Sequence, residues 1–69
     1  MDFIKKPLRD IEPQLSAMGY KFVREVSLSG KSFILNYENH SEKRKVQLVM
    51  ELYAKNAFCK QIYEEEIGA

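Results

Sequence analysis

The chain has 69 residues, of which 45% are apolar and 30% charged, and its net charge is +1. These values describe one folded domain, near the lower size at which a single core offsets the entropy lost on folding, and they exclude a disordered tail. Apolar residues never run beyond stretches such as Phe33–Leu35, so there is no span of the roughly twenty needed to cross a bilayer.

A single cysteine forms no internal disulfide, and Met1–Pro7 lacks the apolar core of a signal peptide. Both point to a reducing, cytoplasmic setting. Dimerisation would help so small a core.

The first element is a helix. Ile4, Leu8, Ile11, Leu15 and Met18 recur at helical spacing and form a narrow apolar stripe, and Gly19 follows as a left-handed cap. Pro7 suits the first turn, which starts the regular helix near Lys6. Pro13 lies beyond that turn and removes a backbone hydrogen bond, at a cost of about 3 kcal/mol, so a kink or a break is expected there.

A hairpin comes next. Tyr20, Phe22, Val26 and Leu28 share one parity, and Phe33, Leu35 and Tyr37 share another beyond Ser29-Gly30-Lys31. Arg24 falls on the apolar parity. A bulge could turn it outward, it could pair with Glu12 or Glu51, or its face could be open for binding.

After the polar loop 39–43, Val46, Leu48, Met50 and Leu52 alternate with Lys45, Gln47 and Glu51, which is the period of a strand over 45–52. Wound as a helix, the same apolar residues would scatter around the whole circumference. The segment Asn56–Gly68 reads as a second helix, with Asn56 as N-cap and Phe58, Cys59, Ile62, Tyr63 and Ile67 on one half of the wheel. Glu64-Glu65-Glu66 sits badly at a helix C-terminus, and a fourth strand over 57–63 is the rival reading. The expected fold is α+β in the order α-β-β-β-α, a three-stranded antiparallel sheet with two helices packed on one face.

No catalytic constellation stands out, and no metal site or cofactor is expected. One Cys and one His fall short of a zinc ligand set, and phosphate-cradling glycine loops and nucleophile elbows are lacking. His40 reads as a solvated loop residue and Cys59 as a small core residue. Residues 1–50 carry nine Lys/Arg against six Asp/Glu, whereas residues 51–69 carry two against four. Any nucleic-acid contact must therefore come from a local patch. The candidates are Lys21, Lys31, Lys43, Arg44, Lys45 and Lys55, with Lys55 and Lys60 flanking the start of the expected second helix and its free N–H groups.

Three stretches resemble the double-stranded-RNA-binding-like fold of HicA-type toxins, which are ribonucleases. They are Gly19-Tyr20-Lys21-Phe22-Val23-Arg24, Ser29-Gly30-Lys31-Ser32-Phe33, and Phe58-Cys59-Lys60-Gln61-Ile62-Tyr63 before Ile67-Gly68. The resemblance implies an αβββα fold that meets RNA. Lys31 or Ser32 stands where those toxins carry their catalytic histidine, so the activity does not transfer.

The expected function is a non-enzymatic module that binds RNA or an RNA–protein complex through the six cations. One alternative is a small inhibitor or adaptor docking on a protein, such as a mobile-element product that blocks a host nuclease or defence complex. A divergent ribonuclease is the other. A homodimer is compatible with each.

Overall fold

The computed structural model describes residues 1–67. Helix α1 spans Leu8–Ala17, followed by strands β1 (Lys21–Ser27), β2 (Ser32–Asn39), β3 (Arg44–Tyr53) and β4 (Asn56–Glu66). The strands form one antiparallel sheet in chain order. Among the described residues, α1 is the sole helix.

The core lies between α1 and one face of the sheet. Ile11 and Leu15 of the helix meet Leu35 and Tyr37 of β2, Val46, Leu48 and Met50 of β3, and Cys59 of β4, with Phe3 and Tyr20 closing the two ends of α1. The alternation expected in β3 holds where the helix covers it: Val46, Leu48 and Met50 are fully buried, while Leu52, past the end of that cover, is exposed. Two members of the expected helical stripe, Ile4 and Met18, are also exposed. Phe3, outside the stripe, takes the buried place at the N-terminal end.

The expected C-terminal helix is β4, so the fold has four strands and one helix in place of three and two. The hairpin from Tyr53 to Asn56 turns through Ala54-Lys55 and pairs β4 with β3 along its length. A register shift at Lys60 hides the period of two. Before it, Ala57 and Cys59 lie opposite Leu52 and Met50; after it, Ile62 and Glu64 lie opposite Leu48 and Val46. A bulge moves the core face from odd to even numbers, and the resulting mixed parity mimics a helical stripe. The triple glutamate that suited a helix end poorly is accommodated along a strand edge. Gly68, expected to end that helix, lies outside the described residues.

A second bulge at Val23 accounts for Arg24. Phe22 lies across from Tyr37 on the helix side, but Arg24 pairs with Asn36 and Val26 with Ile34 on the opposite face. Val26 is consequently exposed, against the expectation that it faces the core.

Helix α1 passes through Pro13 without a break and ends at Met18, and Gly19 (φ 90°) turns the chain into β1. A side chain at Gly19 would be strained by that φ and would meet the Asn39 amide nitrogen at 3.2 Å. Asn39, expected in a loop, ends β2 and is 2% exposed. Its Nδ2 donates to the Met18 carbonyl (2.8 Å), and its Oδ1 accepts from the Ser41 hydroxyl (2.9 Å) and the Glu42 N–H (3.2 Å).

The N-terminal segment covers part of the outer edge of β4. Lys5 N–H donates to the Cys59 carbonyl (2.7 Å), Cys59 N–H donates to the Lys6 carbonyl (3.0 Å), and Pro7 bridges Phe58.

Candidate functional site

The six candidate cations do not form one surface; they sort to opposite ends of the sheet. Lys21 opens β1, and Arg44 and Lys45 open β3 just after Lys43 of the preceding loop. Antiparallel pairing brings Glu38 opposite Lys21, and Glu66 and Glu65 opposite Arg44 and Lys45. Arg44 Nη2 stands 3.7 Å from Glu64 Oε1, and Lys45 Nζ stands 3.4 Å from Glu65 Oε2. Glu42 and Glu66 add to the acids of this end, so carboxylates match its cations and no net positive field remains.

The other end lies roughly 30 Å away along β3, at about 3.3 Å per residue. Lys31 follows the first hairpin turn, where its carbonyl accepts from Leu52 N–H (2.7 Å), and Lys55 occupies the last turn. Here Lys5 and Lys60 line an open cleft of about 370 Å³ together with Ile4, Glu51, Tyr53, Phe58 and Cys59. The helix N-terminus expected between Lys55 and Lys60 does not exist, because β4 runs there. Lys55 instead occupies the hairpin turn and Lys60 the bulge within β4.

Local geometry explains the cleft. Glu51 and Tyr53 share the parity of β3 that points away from α1, and the pairing of Glu51 with Phe58 puts that ring on the same face. The Tyr53 and Phe58 rings stand 6.2 Å apart and tilted, and Tyr53 is 58% exposed. Lys60 Nζ lies 3.4 Å from Glu51 Oε2. The neighbouring Tyr53 hydroxyl, a potential donor to Glu51, holds that carboxyl below its ordinary range, aided by the Lys60 and Lys31 ammonium groups and opposed by partial desolvation. The same proximity to the carboxylate pushes the Tyr53 hydroxyl up.

Glu51 is thus ionised and held against two partners, while Lys5, Lys31 and Lys55 have no carboxylate within ion-pair distance among the described residues. The cleft combines an exposed aromatic face, an apolar floor and an excess of ammonium groups. Lys60 is legible in the sequence as a cation near Lys55 and Tyr53 as an amphipathic ring, whereas Phe58, placed by the sequence on a helical core face, joins them through its pairing with Glu51.

Other chemistry-bearing residues stand apart from this cleft. His40 Nε2 lies within hydrogen-bond distance, 2.8 Å, of Glu38 Oε1 on the exposed surface of the acidic end. Cys59 is buried, its thiol pushed up by desolvation and partly offset by a contact with the Gln61 carbonyl at 3.4 Å. Among the described residues, no three of His, Cys, Asp or Glu converge as metal ligands, and no helix is long and apolar enough to cross a membrane.

Tyr37 gives the fold an alkaline limit. Its phenol, 5% exposed and edge-on to Phe22, is pushed up to about 12 by burial and then by the charge of Glu12. The unfolded chain releases this proton near pH 10, so the native state binds more protons between those two values and stability falls as pH rises through them. Below pH 10 the contribution is intact. Urea unfolding at successive alkaline pH values should lose up to about 3 kcal/mol by this route, and Tyr37→Phe should flatten the decline.

Comparison of the chain with known protein families, curated proteins and solved structures finds no match.

Proposed function

We propose that this protein is a small binding module for single-stranded RNA, and that a nucleotide is received in the cleft walled by Tyr53 and Phe58. The observation that carries this reading is the coincidence of an exposed tyrosine ring with Lys5, Lys31, Lys55 and Lys60 at one end of the sheet. Base–aromatic stacking contributes about 1–3 kcal/mol per base and needs no sequence match, and ammonium groups around it hold the backbone. The remaining lone pairs of Glu51 suit an exocyclic amine on a splayed base. Lys31 and Lys55 keep their proposed role, whereas Lys21, Lys43, Arg44 and Lys45 lie at the end where carboxylates offset them.

Fluorescence anisotropy with a labelled oligouridine tests the reading. Wild type should bind at low ionic strength and weaken steeply with salt. Tyr53→Ala should weaken binding by about tenfold, within the range for one stacked base, and Lys31→Glu should lower both affinity and the salt slope. Lys45→Ala, at the far end, should change little. No binding at low salt, or an equal loss in Lys45→Ala, would contradict the proposal.

A further inference from the structure

Strand β1 is an open edge. All seven of its residues are exposed, and among the described residues β2 is the one strand that pairs with it. Phe22, Val23 and Val26, with Leu28 just beyond, are exposed by 41–55%. The outer edge of β4 is guarded by contrast: residues 5–7 pair with it at one end, Lys60 bulges in its middle, and Glu64–Glu66 charge the rest. Bulges, cover and charge are the devices that prevent strand addition. On β1 the bulge at Val23 protects the first half alone.

The second half has a register in which it complements itself. Leu28 N–H donates to the Ser32 carbonyl at 3.0 Å. Antiparallel alternation then turns the backbone groups of Arg24 and Val26 toward β2 and those of Glu25 and Ser27 outward. A twofold axis at Glu25 would set two carboxylates directly opposite each other, and one at Arg24 two guanidiniums; like charges so placed are destabilising. An axis at Ser27 would pair Glu25 with Ser29, whose N–H is already bonded to the Ser32 carbonyl at 3.1 Å. An axis at Val26 has none of these faults. It pairs Glu25 with Ser27 of the other copy through reciprocal backbone bonds, and it places Val26 against Val26.

We propose that β1 joins β1 of a second copy, antiparallel and centred on Val26, so that two four-stranded sheets become one of eight. The small apolar row that crosses the open face, Val26 to Ile34 to Val49, then continues into its symmetry mate. Both helices lie on the same side, and the guarded edges of β4 end the assembly at two copies. The paired stretch, residues 24–28 on each copy, is short beside the roughly 1,600 Å² of a standard interface, so the dimer dissociates on dilution.

Sedimentation velocity on RNA-free protein over a wide concentration range tests this independently of nucleic-acid binding. Wild type should pass from monomer to dimer as concentration rises. Ser27→Pro removes an outward N–H without touching the ladder to β2, and Val26→Lys puts two ammonium groups across the axis. Each should raise the dissociation constant by about tenfold or more, with amide NMR spectra showing that the fold persists. Val49→Ala, on the same face but away from the edge, should dimerise as wild type does. A wild type that stays monomeric throughout, or folded Ser27→Pro and Val26→Lys proteins that still dimerise like wild type, would overturn the proposal.

Discussion

Leu48→Ala should destabilise the protein by about 3 kcal/mol, while Val49→Ala beside it should cost under about 1 kcal/mol. Leu48 is fully buried near the middle of the face that α1 covers, among Leu35, Met50 and Ile62. Truncating it removes the transfer energy of three carbons and leaves a cavity that a small, close-packed core fills only in part. Val49 points to the open face, where water replaces the lost methyl groups. A domain of this size has roughly 3–10 kcal/mol in total, so the first substitution leaves it near its unfolding threshold. Urea titration of both variants measures the contrast, and comparable losses would mean that both faces of the sheet are packed.

Asn39→Leu should cost about 2–4 kcal/mol although it adds apolar volume to a buried position. The amide satisfies three groups at once: the Met18 carbonyl at the end of α1, the Ser41 hydroxyl and the Glu42 N–H. Leucine would leave the Met18 carbonyl, the Ser41 hydroxyl and the Glu42 N–H without their partner in a part-buried place, at up to about 1–3 kcal/mol for each group cut off from water. Asn39→Asp should be destabilising too, because its carboxylate faces the Met18 carbonyl and supplies no N–H. Thermal unfolding of both variants checks this, with hydrogen exchange at Glu42 and Gly19 showing whether the helix end and the loop loosen together.

Much of the architecture was legible in the residues. The alternation of Val46, Leu48 and Met50 identified β3, Gly19 marked the end of α1, and Ser29-Gly30-Lys31 marked the first hairpin. The hidden part of β1 and β4 had one physical origin, the single extra residues at Val23 and Lys60. Each bulge inverts the parity of the residues after it, so Val26 looked inward and β4 looked helical. Period-two reasoning holds only between bulges, and nothing in Val23 or Lys60 as residue types announces one. Asn39 was missed for a different reason: a polar residue beside His40 and Ser41 reads as loop unless its partner, the helix end, is known.

The candidate site was less legible than the fold. Counting cations by sequence segment grouped Lys43-Arg44-Lys45 with Lys21 and Lys31, but antiparallel pairing then set Glu38 and Glu64–Glu66 against most of that group. The aromatic cleft depends on the hairpin at Ala54-Lys55 and on contact with Ile4 and Lys5, which are roughly fifty positions distant in the chain.

That same seam between residues 5–7 and Phe58-Cys59 dictates when the molecule can mature. During synthesis residues 5–7 are made about fifty positions before their strand partners Phe58 and Cys59, so α1 has no complete floor to settle on until β4 has left the ribosome. Until then Val46, Leu48 and Met50 are a naked apolar ribbon with a raw margin, open to chaperones or to a neighbouring nascent copy. Contacts so remote along the chain also slow closure. A shortened product that stops before Asn56 should therefore be cleared by proteases rather than survive as a partial fold.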